Sequence, residues 1–354
     1  MLNEPMQAKQ PSRSEMERAF FARDSSYDGV FFVGVRTTRI YCRPSCAAKK
    51  PRADHAQYFA SGAEAVAAGY RPCRRCRPER SLVQPPEWIG GLLSRIDGDP
   101  GRHWSDRELR ALGLPPWRVR RFFRDRFGIT FHAYCRARRM AGALHEIRVG
   151  ADLDDVVFDT GYESHSGFRS AFAKAIGTSP GRSRTLECID VDMVDTPLGP
   201  VVVGATPSAL CLLEFATRRM LATQVDVLRR RFRSPVMPGR NDVIDQTAAE
   251  LSDYFAGKRT HFDVPVAAPG TPFQERVWAA VSRIPYGATR SYEGVAVDVG
   301  RAGAVRAVGT ANGANRVAIV IPCHRVCRKS GDPGGYGGGR WRKEALLELE
   351  QRHR

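Results

Sequence analysis

The chain has 354 residues, enough for several domains with separate cores, and its 42% hydrophobic and 26% charged content is ordinary for soluble globular protein. No apolar run approaches the ~18 residues that a membrane helix needs, and the first residues lack a signal-peptide core. We therefore expect a cytoplasmic, nucleoid-associated protein with no membrane partner. The 55 Lys and Arg against 38 Asp and Glu give a net charge of +17, which favours a polyanionic partner.

Two closely spaced cysteine pairs mark the first region. Two short strands predicted within residues 27–41 lead to Cys42 and Cys46, and Cys73 and Cys76 follow after 26 intervening residues. Cys-x3-Cys with Cys-x2-Cys is typical zinc spacing, and such clusters are usually structural, although a zinc thiolate stays nucleophilic. Four thiolates on Zn²⁺ leave a formal charge of −2, which nearby arginines can balance while they also bind phosphate. These arginines are Arg43, Arg71, Arg74, Arg75 and Arg77.

The sequences IYCRPSC at 40–46 and GYRPCRRC at 69–76 resemble the N-terminal domain of the bacterial Ada family. This resemblance implies that residues 1–84 form a zinc-binding methyl phosphotriester repair domain. It further implies that Cys42, Cys46, Cys73 and Cys76 hold the zinc, and that Cys42 accepts a methyl group from a methyl phosphotriester in DNA.

Residues 85–187 concentrate the positive charge and predict two helix pairs. Between residues 102 and 148 there are twelve arginines and four carboxylates. Ser105 and Glu108 form a capping-box pattern, and Pro116 opens a second helix that Gly128 ends. Four arginines on that second helix are predicted to contact DNA: Arg118, Arg120, Arg121 and Arg124.

The same plan recurs at residues 153–160 and 164–176, with a turn at Gly161. Two such helix pairs are suited to enter successive major grooves of DNA. The alternative interpretation of this region is a plain helical bundle with solvated arginines. The stretch from Asp155 through Phe172 to Pro180 resembles the second half of an AraC-type DNA-binding domain. That resemblance implies transcriptional activation and RNA polymerase as a partner.

Residues 188–268 predict a small α/β subdomain without chemistry of its own. The expected elements are a hairpin at 196–204 and 210–215, a helix ending near Phe232, and a short helix at 249–255. Cys188 and Cys211 are interpreted as core thiols.

A reactive thiol is predicted in residues 269–354. Helices are expected at 273–284, 291–300 and 302–312, followed by an apolar run at 317–321 interpreted as a buried strand ending at Pro322. That strand would present Cys323, with Arg325 favouring the thiolate. Because adjacent strand residues point to opposite faces, His324 suits a water-bridged relay better than a direct ion pair. A packed core cysteine is the alternative.

The region from residue 271 onward resembles the active-site domain of O6-alkylguanine-DNA alkyltransferases. The resemblance implies that Cys323 takes the alkyl group and that His324 with Glu350 activates it through a water. It implies that Tyr292 serves the departing base and that Arg306 fills the gap left in the stack by base flipping. It also implies that Asn315 supports the active-site turn. The pocket would be lined by Tyr336 and Lys343, and Arg325 is assigned to DNA binding. Cys327 and the glycines at 337–339 depart from the family pattern.

Together these patterns predict a monomeric, multidomain α+β protein that binds double-stranded DNA. Its parts are a small four-cysteine zinc domain, an all-α double helix-turn-helix domain, a ribonuclease-H-like α/β subdomain and a winged-helix-like alkyltransferase domain. The expected activity is irreversible methyl transfer from O6-methylguanine and O4-methylthymine to Cys323 and from phosphotriesters to Cys42, which strengthens promoter binding. The alternatives are a transcription factor whose thiol site is only a sensor, and a cysteine hydrolase. S-adenosylmethionine is not expected, since no glycine-rich nucleotide loop follows a strand.

Overall fold

The computed structural model describes residues 10–79, 87–99, 101–127, 129–218 and 221–354. Within them the predicted multidomain α+β class is confirmed. The expected boundary at residues 84 and 85 and the helix end at Gly128 lie outside the described residues. No helix in these ranges is long and apolar enough to cross a bilayer.

A four-stranded sheet brings the two cysteine pairs of the first region together. Its elements are α1 (Arg13–Ala22), β1 (Phe32–Val35), β2 (Ile40–Cys42), β3 (Ala56–Phe59), α2 (Gly62–Ala67) and β4 (Arg71–Pro72), with strand order β3-β1-β2-β4. β2 ends on Cys42 and pairs in parallel with β4, which directly precedes Cys73. The neighbouring strand ends therefore place both pairs at one edge of the sheet. Helix α1 was not predicted.

Six helices of the described chain form the basic region. They are α3 (Glu87–Gly98), α4 (Asp106–Ala111), α5 (Pro116–Phe127), α6 (Phe131–Arg148), α7 (Leu153–Asp159) and α8 (His165–Ile176). The capping box is confirmed, because Ser105 Oγ accepts from Glu108 N and Glu108 Oε2 accepts from Ser105 N. Helix α6, which was not predicted, joins the two helix pairs, and each pair has its own apolar core, around Phe123 and around Phe168.

The α/β region is a mixed sheet covered by two helices. It contains β5 (Ile189–Val194), β6 (Val201–Ala205), β7 (Leu210–Phe215), α9 (Leu221–Phe232), β8 (Val236–Pro238) and α10 (Asp242–Phe255), with strand order β7-β6-β5-β8. The predicted helix at 249–255 is the second half of α10. Cys188 and Cys211 are buried, as predicted.

The last region is helical, with a turn where a strand was predicted. Its elements are α11 (Pro272–Ser282), β9 (Arg290–Ser291), α12 (Tyr292–Asp298), α13 (Val305–Gly313), β10 (Val326–Cys327) and α14 (Arg340–Arg352). The strand prediction for 317–321 is wrong, because Ile319 has a φ of 72° and Ile321 N returns to Val317 O at 2.9 Å. The run is buried except for the half-buried Val320, and it feeds a 3-10 turn at Cys323–Arg325.

The first region packs against the last helix. Trp341 Nε1 donates to Ser26 O at 2.8 Å, and Ser25 Oγ donates to Thr217 O at 3.2 Å. Tyr27 and Trp341 belong to one continuous apolar core. This contact joins the cysteine-cluster region to the region that carries Cys323.

Candidate functional site

The four predicted metal ligands form a compact sulfur cluster. The Sγ atoms of Cys42, Cys46, Cys73 and Cys76 all lie within 4.8 Å of one another. Tetrahedral zinc with bonds near 2.3 Å separates its sulfur ligands by about 3.8 Å, so the cluster fits a zinc ion. Three of these side chains are buried and Cys76 is the most exposed. The cluster is consistent with a zinc site.

Arginines surround this cluster in two different ways. Arg43 is only 8% exposed, and its guanidinium donates to Arg77 O while its backbone N–H donates to Cys76 Sγ at 3.4 Å. The prediction of Arg43 as a DNA contact is therefore corrected, because its side chain is buried inside the domain. Arg71 and Arg74 are exposed beside the cluster and remain available to phosphate.

Helix α5 presents a basic outer face. Arg118, Arg120 and Arg124 are exposed, and Arg121 is half-buried. Arg120 pairs with Asp106 at 2.5 Å, which anchors it to the preceding helix. Trp117, which was not predicted as a site residue, is 61% exposed in the first turn of α5. That turn is where the second helix of such a pair meets base edges, and a Pro-Trp step at a helix start was the available signal.

Cys323 opens onto a cavity of about 250 Å³ between the α/β region and the last region. Its lining includes Tyr292, Asn312, Tyr336, Glu214 and Arg218. The structure thus brings Cys323, Tyr292 and Tyr336 together, as predicted. Sequence reasoning missed Asn312, whose Nδ2 donates to Cys323 O at 3.1 Å, and it missed the pair Glu214 and Arg218.

The surroundings of the Cys323 thiol disfavour its thiolate form. Burial raises its pKa, against a hydrogen bond from Asn315 and the positive charges of Arg218 and Lys343. Arg218 and Lys343 are the cations that lower the pKa of the thiol, whereas Arg325, which the sequence had favoured for this role, donates to Glu350. Lys343 is fully buried, lies outside the cavity lining, and donates to Val326 O at 2.5 Å.

The bent segment from Val317 to Arg325, which presents Cys323, is called the thiol turn here. A buried His324–Glu350 pair lies behind it. His324 Nε2 is 2.8 Å from Glu350 Oε1, and neither residue is exposed. Burial lowers the pKa of His324 against the attraction of Glu350, so the imidazole is neutral. The carboxylate at Nε2 favours the tautomer with its proton there. Nδ1 has no hydrogen-bond partner among the described residues, and in this tautomer it is the acceptor.

Arg325 belongs to the same buried network. It is 7% exposed, donates to both carboxylate oxygens of Glu350, and reaches Ile284 O at 2.6 Å. Its predicted role in DNA binding is corrected, because the 3-10 turn at Cys323–Arg325 directs the side chain into the core. Burial alone would raise the pKa of Glu350, but the hydrogen bonds from His324 and Arg325 and the positive charge of Arg325 lower it to about 2.

The remaining predicted residues take distinct positions. Asn315 braces the thiol turn, since its Nδ2 donates to Ile321 O at 2.9 Å and its Oδ1 accepts from Val317 N at 3.0 Å. Arg306 is exposed in the first turn of α13, free of the pocket wall.

Comparison with known protein families matches three of the regions separately. Residues 15–79 match the metal binding domain of Ada, residues 109–185 a helix-turn-helix domain, and residues 272–352 the DNA binding domain of 6-O-methylguanine DNA methyltransferase.

Individual proteins are similar as well, one of them over nearly the whole chain. The bifunctional transcriptional activator/DNA repair enzyme Ada of Escherichia coli (strain K12) is 30% identical over 94% of this chain and 95% of that protein. The methylated-DNA–protein-cysteine methyltransferase of Mycobacterium tuberculosis (strain ATCC 25618 / H37Rv) is 46% identical over 45% of this chain and 90% of that protein. The crystal structure of Mycobacterium tuberculosis OGT in complex with DNA is 42% identical over 46% of this chain and 94% of that one, with a TM-score of 0.41. The chain therefore belongs to the Ada family of bifunctional transcriptional activators and DNA repair methyltransferases.

Proposed function

We propose that this protein transfers methyl groups from O6-methylguanine and O4-methylthymine in DNA to Cys323, and from methyl phosphotriesters to Cys42. The second transfer strengthens promoter binding and activates alkylation-repair genes. The observation that carries the proposal is the buried His324–Glu350 pair behind a thiol that opens onto a cavity.

At Cys323 the base must first leave the duplex, because its methyl group lies within the stack. Arg306, exposed on α13, fills the gap. The thiol proton passes through a water to His324 Nδ1, and Glu350 stabilises the imidazolium that forms. Sulfur bonds to the methyl carbon as the bond from carbon to O6 breaks. Burial raises the pKa of Tyr292, so its hydroxyl stays protonated and donates to the departing guanine. The thioether has no route back to a thiol, which limits the site to one transfer.

At Cys42 the chemical problem is easier. The methyl group of a phosphotriester faces solvent, and its leaving group is a stable phosphodiester. Zinc would keep the four sulfurs of Cys42, Cys46, Cys73 and Cys76 as nucleophilic thiolates. Cys76 accepts a backbone hydrogen bond from Arg43, which weakens it as a nucleophile and favours Cys42 over this neighbour.

Methylation of Cys42 removes one negative charge beside the exposed Arg71 and Arg74. Less repulsion of phosphate strengthens DNA binding, by about 1–3 kcal/mol if one phosphate contact is relieved. The signal then reaches RNA polymerase through the helix-turn-helix pairs. This function assigns phosphotriester repair to residues 1–84, DNA binding to 85–187, and base repair to 188–268 together with 269–354, in a monomer.

The test is mass mapping of methylated peptides after mixing the protein with methylated duplex DNA, combined with a promoter assay. We expect methyl groups on both Cys42 and Cys323. Cys42→Ala abolishes damage-induced activation and leaves base repair intact, whereas Cys323→Ala does the reverse. Induction that survives in Cys42→Ala would disprove the switch.

A transcription factor with a sensor thiol is the second candidate, since Cys323 is buried in a cavity. It predicts an unmethylated Cys323 peptide after incubation with O6-methylguanine DNA.

A further inference from the structure

A buried ion pair forms part of the Cys323 cavity wall. Glu214 lies in β7, a strand that is otherwise apolar, and its side chain is 1% exposed. Arg218 follows four residues later, and its side chain is 9% exposed and bonded to Glu214. Buried ion pairs are often no more stabilising than apolar replacements, so stability alone does not account for this pair.

Arg218 connects two other parts of the wall. Its guanidinium donates to Gly313 O, the last residue of α13, and to Asn315 O at 3.2 Å. A cation at the C-terminal end of a helix meets the negative end of the helix dipole. One side chain from the α/β region thus holds both the helix that carries Arg306 and the turn that Asn315 braces.

The glycine-rich loop at 337–339 fits around the same guanidinium. A Cβ atom added to Gly337 would lie 2.6 Å from Arg218 Cζ, and one added to Gly338 would lie 2.5 Å from the Phe215 ring. The run of three glycines therefore has a physical reason. Its missing side chains let it lie directly against Arg218 and β7, and the same loop carries Tyr336.

We propose that Arg218, held by Glu214, is a positioning residue for methyl transfer to Cys323. It fixes the end of α13, the Asn315 turn and the glycine loop relative to one another, so that the thiol and the flipped base meet in a reactive geometry. This inference rests on the proposed function of Cys323.

The experiment is single-turnover methyl transfer from a duplex oligonucleotide that carries one O6-methylguanine, at saturating full-length protein. Because a displacement of about 1 Å can cost about 100-fold in rate, we expect Arg218→Met to slow transfer by about 10- to 100-fold with little change in DNA affinity. Arg218→Lys restores part of the rate. Gly337→Ala, which retains the arginine but displaces it, also slows transfer. The matched control is Arg352→Met, which breaks an exposed pair with Glu348 on the last helix and leaves the rate unchanged.

The pH dependence of the methyl-transfer rate distinguishes a positioning role of Arg218 from a lower amount of folded protein in the variant. The thiol is surrounded by Glu214, Arg218, Lys343, Asn315, Tyr292 and Tyr336. In Arg218→Met the Cys323 thiol loses one of its two neighbouring cations, so the midpoint, the pH at which the rate is half-maximal, moves to a higher value. In Arg218→Lys the midpoint returns towards that of the wild type.

If Arg218→Met does not fold, the double variant Glu214→Leu/Arg218→Met removes both buried charges and takes its place. Wild-type rate and midpoint in a folded Arg218→Met, or a wild-type rate in the double variant, would overturn the inference. Absence of methyl on Cys323 in the wild-type protein would instead overturn the proposed function.

Discussion

At the scale of single residues, Glu350 is the hub of the hydrogen-bond network behind Cys323. It accepts hydrogen bonds from His324 and Arg325, from Tyr254 Oη at 2.7 Å and from Gly287 N at 3.1 Å. Such a saturated carboxylate stays ionised and fixes the imidazole that faces the thiol turn. Glu350 therefore links the stability of the region to its chemistry.

Replacing Glu350 with Gln should destabilise the last region by about 3–5 kcal/mol, because Arg325 is left as an uncompensated buried charge. Urea unfolding followed by tryptophan fluorescence measures this effect. Glu348→Gln is the control, since Glu348 lies on the same helix but is half exposed. Equal stability of the two variants would contradict the hub role.

The same carboxylate sets a pH dependence of stability. Its pKa falls from 4.5 to about 2 on folding, so its contribution is complete above pH 4.5 and is lost as the pH falls towards 2. Unfolding curves of the wild type should show this loss, and Glu350→Gln should lack it.

At the scale of elements, the thiol turn holds a strained residue. Ile319 is 1% exposed with a φ of 72°, a left-handed conformation that a β-branched residue rarely adopts. That conformation costs a non-glycine residue about 1–2 kcal/mol, which the packing and hydrogen bonds of the turn must offset. The strain shapes the turn that presents Cys323.

This strain predicts that the usual order of stability, in which an alanine variant is more stable than a glycine variant, is reversed at Ile319. Ile319→Gly should be more stable than Ile319→Ala by about 1 kcal/mol, although both lose buried surface, since only glycine adopts the positive φ freely. At Ile321, which is buried without a positive φ, the usual order with Ala above Gly should hold. Denaturant unfolding of the four variants measures both differences, and the same order at both positions would contradict the strain.

Local patterns predicted part of this architecture. The cysteine spacing and the Ser105 capping box depend on residues a few positions apart, so they could be recognised in the sequence. Helix α6 was missed because arginines interrupt its apolar pattern, and one of them, Arg139, is buried against His103. The direction of Arg325 depends on the 3-10 turn at Cys323–Arg325, and no residue pattern specified that turn.

The cavity wall was harder to predict. Arg218 and Asn315 are 97 residues apart, and their contact exists only after two regions have packed together. Two consecutive arginines just after an apolar strand ordinarily indicate an exposed strand end. The sequence therefore predicted that Cys323 and Tyr292 lie at one site, but it did not predict Arg218, which joins two parts of the cavity wall.

At the scale of the whole molecule, the charge of +17 makes DNA binding dependent on salt. We expect Arg118→Ala and Arg124→Ala each to make the negative slope of log affinity against log salt shallower by about 0.9, since each removes one phosphate contact. Titration of a promoter duplex between about 50 and 200 mM salt measures the slope. Arg352→Ala, on the last helix, should keep the wild-type slope, and unchanged slopes in the α5 variants would show that this face does not meet DNA.

The contact between Ser26 and Trp341 spans 315 residues of sequence. At roughly 5–20 residues per second, the ribosome delivers the last helix about 15–60 s after the surface that it covers. During that interval the nascent cysteine-cluster region displays the apolar surface around Tyr27 without its partner. A chain that stops before Trp341 would thus leave this apolar surface exposed, and such chains are substrates for chaperones and proteases.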